Sequence, residues 1–152
     1  MTASVRNTDA HAGCATLGAD VVIEPEGFEE HGPFDVVLEL VGAPNLAANL
    51  GALAMKGRIV IVGTGAGAET ELSLRGLMGK RAKLMGTMLR ARPLEEKAAA
   101  VMAFEREVVP HLASGRMKTL VDRVFPWTEA PAAFDRMESP GKLGKVLLEL
   151  GD

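Results

Sequence analysis

The residues best suited to chemistry in this sequence are the glycines of the segment GTGAG at positions 63–67. Gly63, Thr64 and Gly65 follow an apolar run rich in β-branched residues, a pattern typical of a buried strand. Because glycine has no Cβ, such a bend lets the backbone come close to a flat ligand. The spacing is not that of the GxGxxG phosphate fingerprint. An ordinary tight turn is the alternative interpretation.

A second candidate segment is Leu40-Val41-Gly42, which ends the preceding apolar run. Open α/β sheets hold their ligands at the carboxyl ends of adjacent parallel strands. This segment is therefore predicted to form one side of a ligand crevice, with the GTGAG glycines on the other side. The alternative is that it only separates a strand from a helix.

The elements that position both segments form a predicted βαβ unit. Phe34 to Val41 is nearly all apolar, which is typical of a strand buried on both faces. Pro44 suits the first position of a helix, and Gly57 is predicted to end that helix. Arg58 to Val62 is a second buried-strand run, so the two strands are predicted to lie parallel with a right-handed crossover between them.

Further apolar runs extend this pattern and predict an α/β fold. The helix at Asp9–Leu17 is expected to be capped by Thr8 or Asp9, and the longest helix to have one apolar face and a kink near Pro110. No linker interrupts the sequence, so residues 1–152 are predicted to form one domain. The other predicted strands are Met1–Asn7, Asp20–Ile23, Ala82–Met88, Lys118–Val124 and Lys145–Leu150, and the other helices run from Pro93 to Gly115 and from Thr128 to Met137.

Arg6 and Asn7 end the first predicted strand. In dinucleotide-binding folds an acidic residue at that place holds the ribose 2′-hydroxyl, whereas a basic residue suits a 2′-phosphate. The arginine therefore favours NADP over NAD. The alternative is a solvated side chain near the terminus.

The remaining polar residues favour structural roles. The three histidines lie far apart in the sequence, and none has the spacing of a metal-ligand pair, so no metal site is predicted. Cys14, the single cysteine, is expected to be a small packed residue. Glu39 is an acid inside an apolar strand. We interpret it as a buried group with hydrogen-bond partners, and a crevice residue is the alternative.

Composition excludes several classes of protein. The chain has 152 residues, 47% of them hydrophobic, and a net charge of −3, so it lacks the basic excess of a nucleic-acid binder. No apolar run approaches the ~20 residues that span a bilayer, and no signal pattern is seen. One cysteine fits a reducing compartment, so a cytoplasmic location with no membrane partner is expected.

Several segments together resemble the carboxyl-terminal part of the medium-chain dehydrogenase/reductases. The resemblance runs in one collinear order over nearly the whole chain, and it is strongest to the zinc-free quinone oxidoreductase branch. The segments that carry it are GADVVI, GPFDVVLELVG, ALAMKGRIVIVGTGAG, KRAKLMGTML, FPWTEAPAAFDRM and GKLGKVLLEL.

This resemblance implies a Rossmann-like, doubly wound, mostly parallel sheet that binds NADPH. It implies hydride transfer from NADPH to a small-molecule substrate, namely a quinone, an enone or a related carbonyl. It also implies a homodimer paired through the edge strand Ala82–Met88. The cofactor is expected to contact Arg6, Asn7, Leu40, Val41, Gly42, Gly63, Thr64 and Gly65, and no residue is assigned a catalytic acid or base role.

The chain departs from the family pattern at its beginning. The amino-terminal substrate domain, the first Rossmann strand and the glycine-rich turn after that strand are absent. In the strand order 3-2-1-4-5-6 the absent strand is central, so the sheet is expected to close up, borrow a strand or belong to a longer protein. A non-catalytic dimerisation module is the main alternative function, and a methyltransferase is the second.

Overall fold

The computed structural model describes residues 1–151, which divide into two compact units. The first unit contains residues 1–25 and residues from 100 onward, and the second contains residues 26–99. The prediction of a single domain stays a prediction. The helices and strands, in chain order, are β1 (Thr2–Ser4), α1 (His11–Thr16), β2 (Val21–Ile23), β3 (Phe34–Glu39), α2 (Leu46–Ala52), β4 (Leu53–Ile61), α3 (Leu74–Lys80), β5 (Lys83–Gly86), α4 (Leu94–Glu107), α5 (Val109–Ala113), β6 (Val121–Pro126), α6 (Ala130–Glu138) and β7 (Lys145–Glu149).

The predicted α/β fold class is confirmed, since every strand pairing is parallel and helices connect the strands. Within residues 1–151 the strands form three sheets, ordered β1-β2, β3-β4-β5 and β6-β7. In the Rossmann order 3-2-1-4-5-6, the first two sheets correspond to strands 2 and 3 and to strands 4, 5 and 6. β1 and β2 pair within the first unit, and β3, β4 and β5 pair within the second.

The second unit has its core on one face of the β3-β4-β5 sheet. Leu53 and Ile59 are 1% exposed and pack against Leu46 and Leu50 of α2. Val37 and α3 complete this layer. The predicted βαβ crossover is therefore confirmed, with α2 as its helix.

The predicted end of α2 at Gly57 is wrong. The helix ends at Ala52, and Leu53 already belongs to β4. The chain makes a turn at Lys56, whose φ of 64° lies in the left-handed region, before the regular pairing resumes at Arg58. The prediction failed because Leu53 has the spacing of a helical core residue, whereas in the structure it is buried as the first residue of β4.

The prediction that β3 is buried on both faces is also wrong. Val36 and Leu38 are 45% and 61% exposed, while Val37 and Glu39 of the other face are covered. The helices α2 and α3 of this unit pack with the leucine core on one side of the sheet. A sequence rich in apolar residues does not reveal which face has a covering helix.

In the first unit, Asn7 caps the first helical turn, because its side-chain oxygen accepts a hydrogen bond from the Asp9 N–H. The predicted caps, Thr8 and Asp9, are therefore wrong by one or two positions. In the same unit, Arg136 of α6 makes a two-pronged ion pair with Asp122 of β6, at 2.7 and 2.6 Å. This pair ties the helix to the β6-β7 sheet.

The longest predicted helix is divided into α4 and α5. The break lies just before Pro110, as the predicted kink requires, because proline cannot donate the helical hydrogen bond. No residue of α4 is buried. Among residues 1–151, no helix is both long and apolar enough to cross a bilayer.

Candidate functional site

The two predicted sides of the crevice lie together at the carboxyl ends of β3 and β4. The Ala43 N–H donates to the Gly67 carbonyl, and the Ala66 N–H donates to the Val41 carbonyl, each at 2.9 Å. The two loops, residues 40–45 and 63–67, are therefore joined by backbone hydrogen bonds. They form one continuous surface.

Two glycines make this close approach possible. Gly42 has a φ of 115°, and a Cβ there would lie 2.5 Å from the Gly67 carbonyl oxygen. A Cβ at Gly63 would lie 2.4 Å from the Leu40 carbonyl oxygen. Any side chain at either position would push the loops apart.

Gly65 differs from these two glycines. A Cβ at Gly65 would meet nothing within 4 Å, and its φ lies outside the left-handed range. The fold of the chain therefore does not require glycine at this position. The space above Gly65 is open for a ligand.

The side chain of Glu39 holds the first loop, residues 40–45, in place. Its carboxylate accepts hydrogen bonds from the backbone N–H groups of Val41 and Gly42, at 2.6 and 2.8 Å. The side-chain amides of Asn45 and Asn49 donate to the same carboxylate. The residue is 4% exposed, so the interpretation of Glu39 as a partnered buried group is confirmed.

The same contacts set the ionisation of Glu39. Burial raises the pKa of the carboxyl, but the hydrogen bonds from Gly42, Asn49, Val41 and Asn45 outweigh it, so the pKa lies below its ordinary value of 4.5. Glu39 is therefore an anion at neutral pH. The main chain of Glu39 holds the second loop as well, because its carbonyl accepts the Val62 and Gly63 N–H groups, at 2.8 and 3.2 Å.

A groove opens beside these loops, between the carboxyl ends of β4 and β5. Its volume is about 310 Å³, and it is lined by residues 61–64 and 86–88. A second cavity of about 40 Å³ shares two lining residues with the groove, and Glu39 and Gly42 are part of its wall. Ile61 and Thr64 line both spaces, so they separate Glu39 from the groove.

Gly86, Thr87 and Met88 also line the site, although the sequence did not lead us to predict them as site residues. The Thr87 N–H donates to the Ile61 carbonyl at 3.0 Å, which holds the segment against β4. Arg92 fixes it from the other side, because its guanidinium donates to the Met88 carbonyl at 3.0 Å and to the Thr87 hydroxyl at 3.3 Å. The strand-end rule that selected the first two loops selects this one too, since the strand was predicted to run through Met88.

Arg6 and Asn7 lie in the first unit, just after β1. Arg6 is exposed. The Asn7 side-chain oxygen is occupied by the helix cap, so its amide nitrogen is the group left to donate to a ligand. Their assignment to the cofactor stays a prediction.

The structure gives one histidine a more definite role than the sequence did. The Nε2 of His11 lies 2.9 Å from the Val5 carbonyl oxygen, a hydrogen bond that ties α1 to the end of β1. Cys14 is a free, half-buried thiol. Within residues 1–151, no three His, Cys, Asp or Glu side chains are grouped as metal ligands.

Solved structures share this architecture. The quinone oxidoreductase from Thermus thermophilus, studied also as its complex with NADPH, is 29% identical with a TM-score of 0.82. The match covers 98% of this chain and 49% of that one. A cobalt- and zinc-bound thermostable alcohol dehydrogenase from Pyrobaculum aerophilum is 31% identical with a TM-score of 0.79, covering 97% and 42% of the two chains.

Curated relatives agree with the solved structures. The quinone oxidoreductase of Sus scrofa is 30% identical over 119 residues, and that of Rattus norvegicus is 28% identical over 117 residues. Each match covers 76% of this chain and 34% of the relative, so the chain spans about a third of the length of these relatives.

A family model described as zinc-binding dehydrogenase matches residues 17–148. That range is most of the chain, and it includes all three loops of the site. The chain therefore belongs to the zinc-binding dehydrogenase family, within the medium-chain dehydrogenase/reductase superfamily.

Proposed function

We propose that this chain is the cofactor-binding portion of an NADPH-dependent oxidoreductase that reduces a quinone, an enone or a related carbonyl by direct hydride transfer. When bound, NADPH supplies the hydride. The chain's own residues bind the cofactor and orient its nicotinamide end. The single observation that supports this proposal most is the groove at the carboxyl ends of β4 and β5, beside the joined loops.

The residues around the groove fit a nicotinamide ring. The groove volume of about 310 Å³ is at the lower end for small-molecule sites, which suits one end of a dinucleotide better than the whole. A Cβ at Gly86, which lines the groove, would project into open space, so its absence leaves room for a flat ring. Met88 and Val62 supply apolar walls.

The proposed contacts follow from this fit. Leu40, Val41 and Gly42 form one side of the nicotinamide region, and Gly63, Thr64 and Gly65 form its floor. We add Gly86, Thr87 and Met88 as the opposite wall. Arg6 and Asn7 are proposed to contact the adenosine 2′-phosphate, since a guanidinium matches phosphate geometry.

Three further features complete the proposal. The chain forms a homodimer through the strand Ala82–Met88. It works without zinc, and the resemblance of its sequence to the zinc-free branch supports this. It acts in the cytoplasm, for which the single cysteine, Cys14, is the supporting feature.

The experiment is a titration of the chain with NADPH and with NADH, followed by nicotinamide fluorescence. We expect saturable binding, with NADPH preferred. Arg6→Gln is expected to remove that preference by weakening NADPH binding about tenfold, the loss of one charge-assisted contact to phosphate. Absence of binding at millimolar cofactor would overturn the cofactor proposal and favour a non-catalytic dimerisation module.

Gly65→Ala tests the loop itself. Because a Cβ at Gly65 meets no atom of the chain, the variant should keep the stability of the parent protein yet weaken NADPH binding about tenfold or more. Gly79→Ala in α3 is the matched control, since its Cβ also meets nothing. It should leave binding unchanged, and equal binding by both variants would show that the cofactor does not lie over Gly65.

A further inference from the structure

Glu39 is a buried anion whose hydrogen-bond donors are all neutral. Two are backbone N–H groups and two are the amides of Asn45 and Asn49. Among residues 1–151, no cation lies within 4 Å of its carboxylate. Hydrogen bonds from neutral groups stabilise the carboxylate but do not cancel its net charge, so its field extends into the surroundings.

The groove lies within reach of that field. Glu39, Ile61 and Gly86 are register neighbours on the three adjacent strands. Neighbouring strands are ~4.8 Å apart, so the whole width from Glu39 to Gly86 is about 10 Å. The groove lies at the carboxyl ends of β4 and β5, next to Ile61 and Gly86. Ile61 and Thr64 line both the groove and the cavity beside Glu39.

Little water lies between Glu39 and the groove, so the charge of the carboxylate is poorly screened. The cavity beside Glu39 has a volume of about 40 Å³, room for about one water molecule. Glu39 is 4% exposed, so bulk solvent does not surround its side chain. Charges in such surroundings interact more strongly than charges in water.

We infer that Glu39 sets the redox-state preference of this site, favouring the oxidised, cationic nicotinamide over the reduced, neutral one. This inference rests on the proposed function. The oxidised ring carries one positive charge that the reduced ring lacks, so a fixed anion at this distance stabilises the oxidised form selectively. The same field stabilises the positive charge that develops on the ring during hydride donation.

Glu39 does not line the groove. Besides its charge, it could affect cofactor binding through the loop that its hydrogen bonds hold in place. A purely structural role would change the affinities for NADPH and NADP⁺ by the same factor. An electrostatic role changes the ratio of the two dissociation constants. The ratio is therefore the quantity to measure.

The experiment compares the 152-residue chain with its Glu39→Gln variant. The Kd of NADPH is measured by fluorescence and the Kd of NADP⁺ by displacement of NADPH, at low ionic strength and neutral pH. For a unit charge within about 10 Å, we expect the ratio Kd(NADP⁺)/Kd(NADPH) to rise on the order of fivefold in the variant. Glu30→Gln, which removes an exposed charge before β3, should leave the ratio unchanged.

A double variant keeps the test decisive if Glu39→Gln fails to fold. In Glu39→Gln/Asn49→Asp the amide and the carboxylate exchange places, so the donor–acceptor pairing and the negative charge both return to the cluster. We expect this variant to restore the ratio of the parent chain. Hydrogen exchange of residues 40–45 and 63–67 reports whether the loops keep their order in each variant.

Each outcome decides between the two proposals. A folded Glu39→Gln chain with an unchanged ratio overturns the inference and leaves the cofactor proposal standing. A double variant whose ratio differs from that of the parent chain also overturns it. If the parent chain binds neither nucleotide, the proposed function and this inference are both overturned.

Discussion

In the described part of the chain, two residues other than glycine have a backbone conformation that ordinarily favours glycine. Lys56 and Arg81 have φ values of 64° and 51°. Arg81 is the residue after the last turn of α3, and its N–H donates to the carbonyls of Leu77 and Met78. The left-handed conformation at such a position is usually supplied by glycine.

Arg81→Gly should therefore stabilise the protein by about 0.5–1 kcal/mol, because glycine adopts a positive φ without steric cost. Urea unfolding measures the change. Arg75→Gly in the same helix is the control, and it should destabilise by a similar amount because Arg75 is exposed and helical. Destabilisation by both variants would show that Arg81 is not strained.

Glu39 makes stability depend on pH. Its pKa in the folded protein lies below the ordinary value of 4.5, so the unfolded chain binds more protons near that pH. The stabilisation by Glu39 is therefore complete above about pH 5 and is lost as the pH falls through the folded pKa. The free energy of unfolding should fall less steeply between about pH 5 and pH 3 in Glu39→Gln than in the parent chain.

Glu30→Gln is the matched control for the loss of stability at acid pH, because Glu30 is exposed. It should keep the slope of the parent chain. The same sign applies to Asp122, whose pKa is lowered first by its hydrogen bond from Arg136. A slope in Glu39→Gln equal to that of the parent would place the acid sensitivity elsewhere.

Lys80 connects helices α2 and α3 of the second unit. The Lys80 ammonium, at the end of α3, donates to the Gly51 carbonyl at 2.6 Å and to the Leu53 carbonyl. These carbonyls lie at the carboxyl end of α2, where the helix has unpaired acceptors and a partial negative charge. Lys80 thus caps α2 and joins it to α3.

Lys80→Met keeps the apolar stem and removes the charge, so we expect a loss of about 1–2 kcal/mol in unfolding free energy. Lys83→Met on β5 is the control, since Lys83 is exposed. Its effect should stay within about 0.5 kcal/mol. Equal effects of the two substitutions would mean that the cap contributes nothing.

At the scale of elements, the sequence predicted the crossover β3-α2-β4 because each element has a local signal. Apolar β-branched runs mark the strands, and Pro44 lies in the short helical turn Ala43–Asn45 that leads into α2. The exposed face of β3 had no such signal, because burial depends on which helices cover a sheet. The end of α2 was misplaced since Leu53 fits a helical spacing and a buried strand equally well.

In the candidate site, too, the features with a local sequence signal were predicted and those set by packing were not. The loops at residues 40–42 and 63–65 were predicted from strand ends and glycines, and the structure brings them together. The contacts that join them, such as the one between Gly42 and Gly67, are set by three-dimensional packing and leave no local pattern. Gly86 lay inside the predicted strand Ala82–Met88, although the observed strand β5 ends at this glycine and so makes it a site candidate.

The whole molecule is an α/β protein in two units that spans about a third of the length of its curated relatives. The edge strand β5 pairs with β4 in its sheet, and Leu84 and Met85 on it are 37% and 41% exposed. An edge strand with apolar side chains tends to pair with another chain. The proposed homodimer would use this edge.

Met85→Lys should convert the proposed dimer to a monomer, because lysine on an edge strand opposes pairing. Light scattering coupled to size exclusion measures the mass. Met78→Lys, on the exposed side of α3, is the control and should leave the dimer intact. A parent chain that is monomeric at every concentration would contradict the proposed edge pairing.

The joined loops at residues 40–45 and 63–67 also have a consequence for sequence change. Gly42 accommodates Thr64 and Gly67, Gly63 accommodates Leu40, and Glu39 binds both loops through its side chain and its carbonyl. An insertion or substitution that reshapes one loop therefore misfits the other. In evolution or in engineering, the two loops must be exchanged together, as a single transferable cassette that includes Glu39.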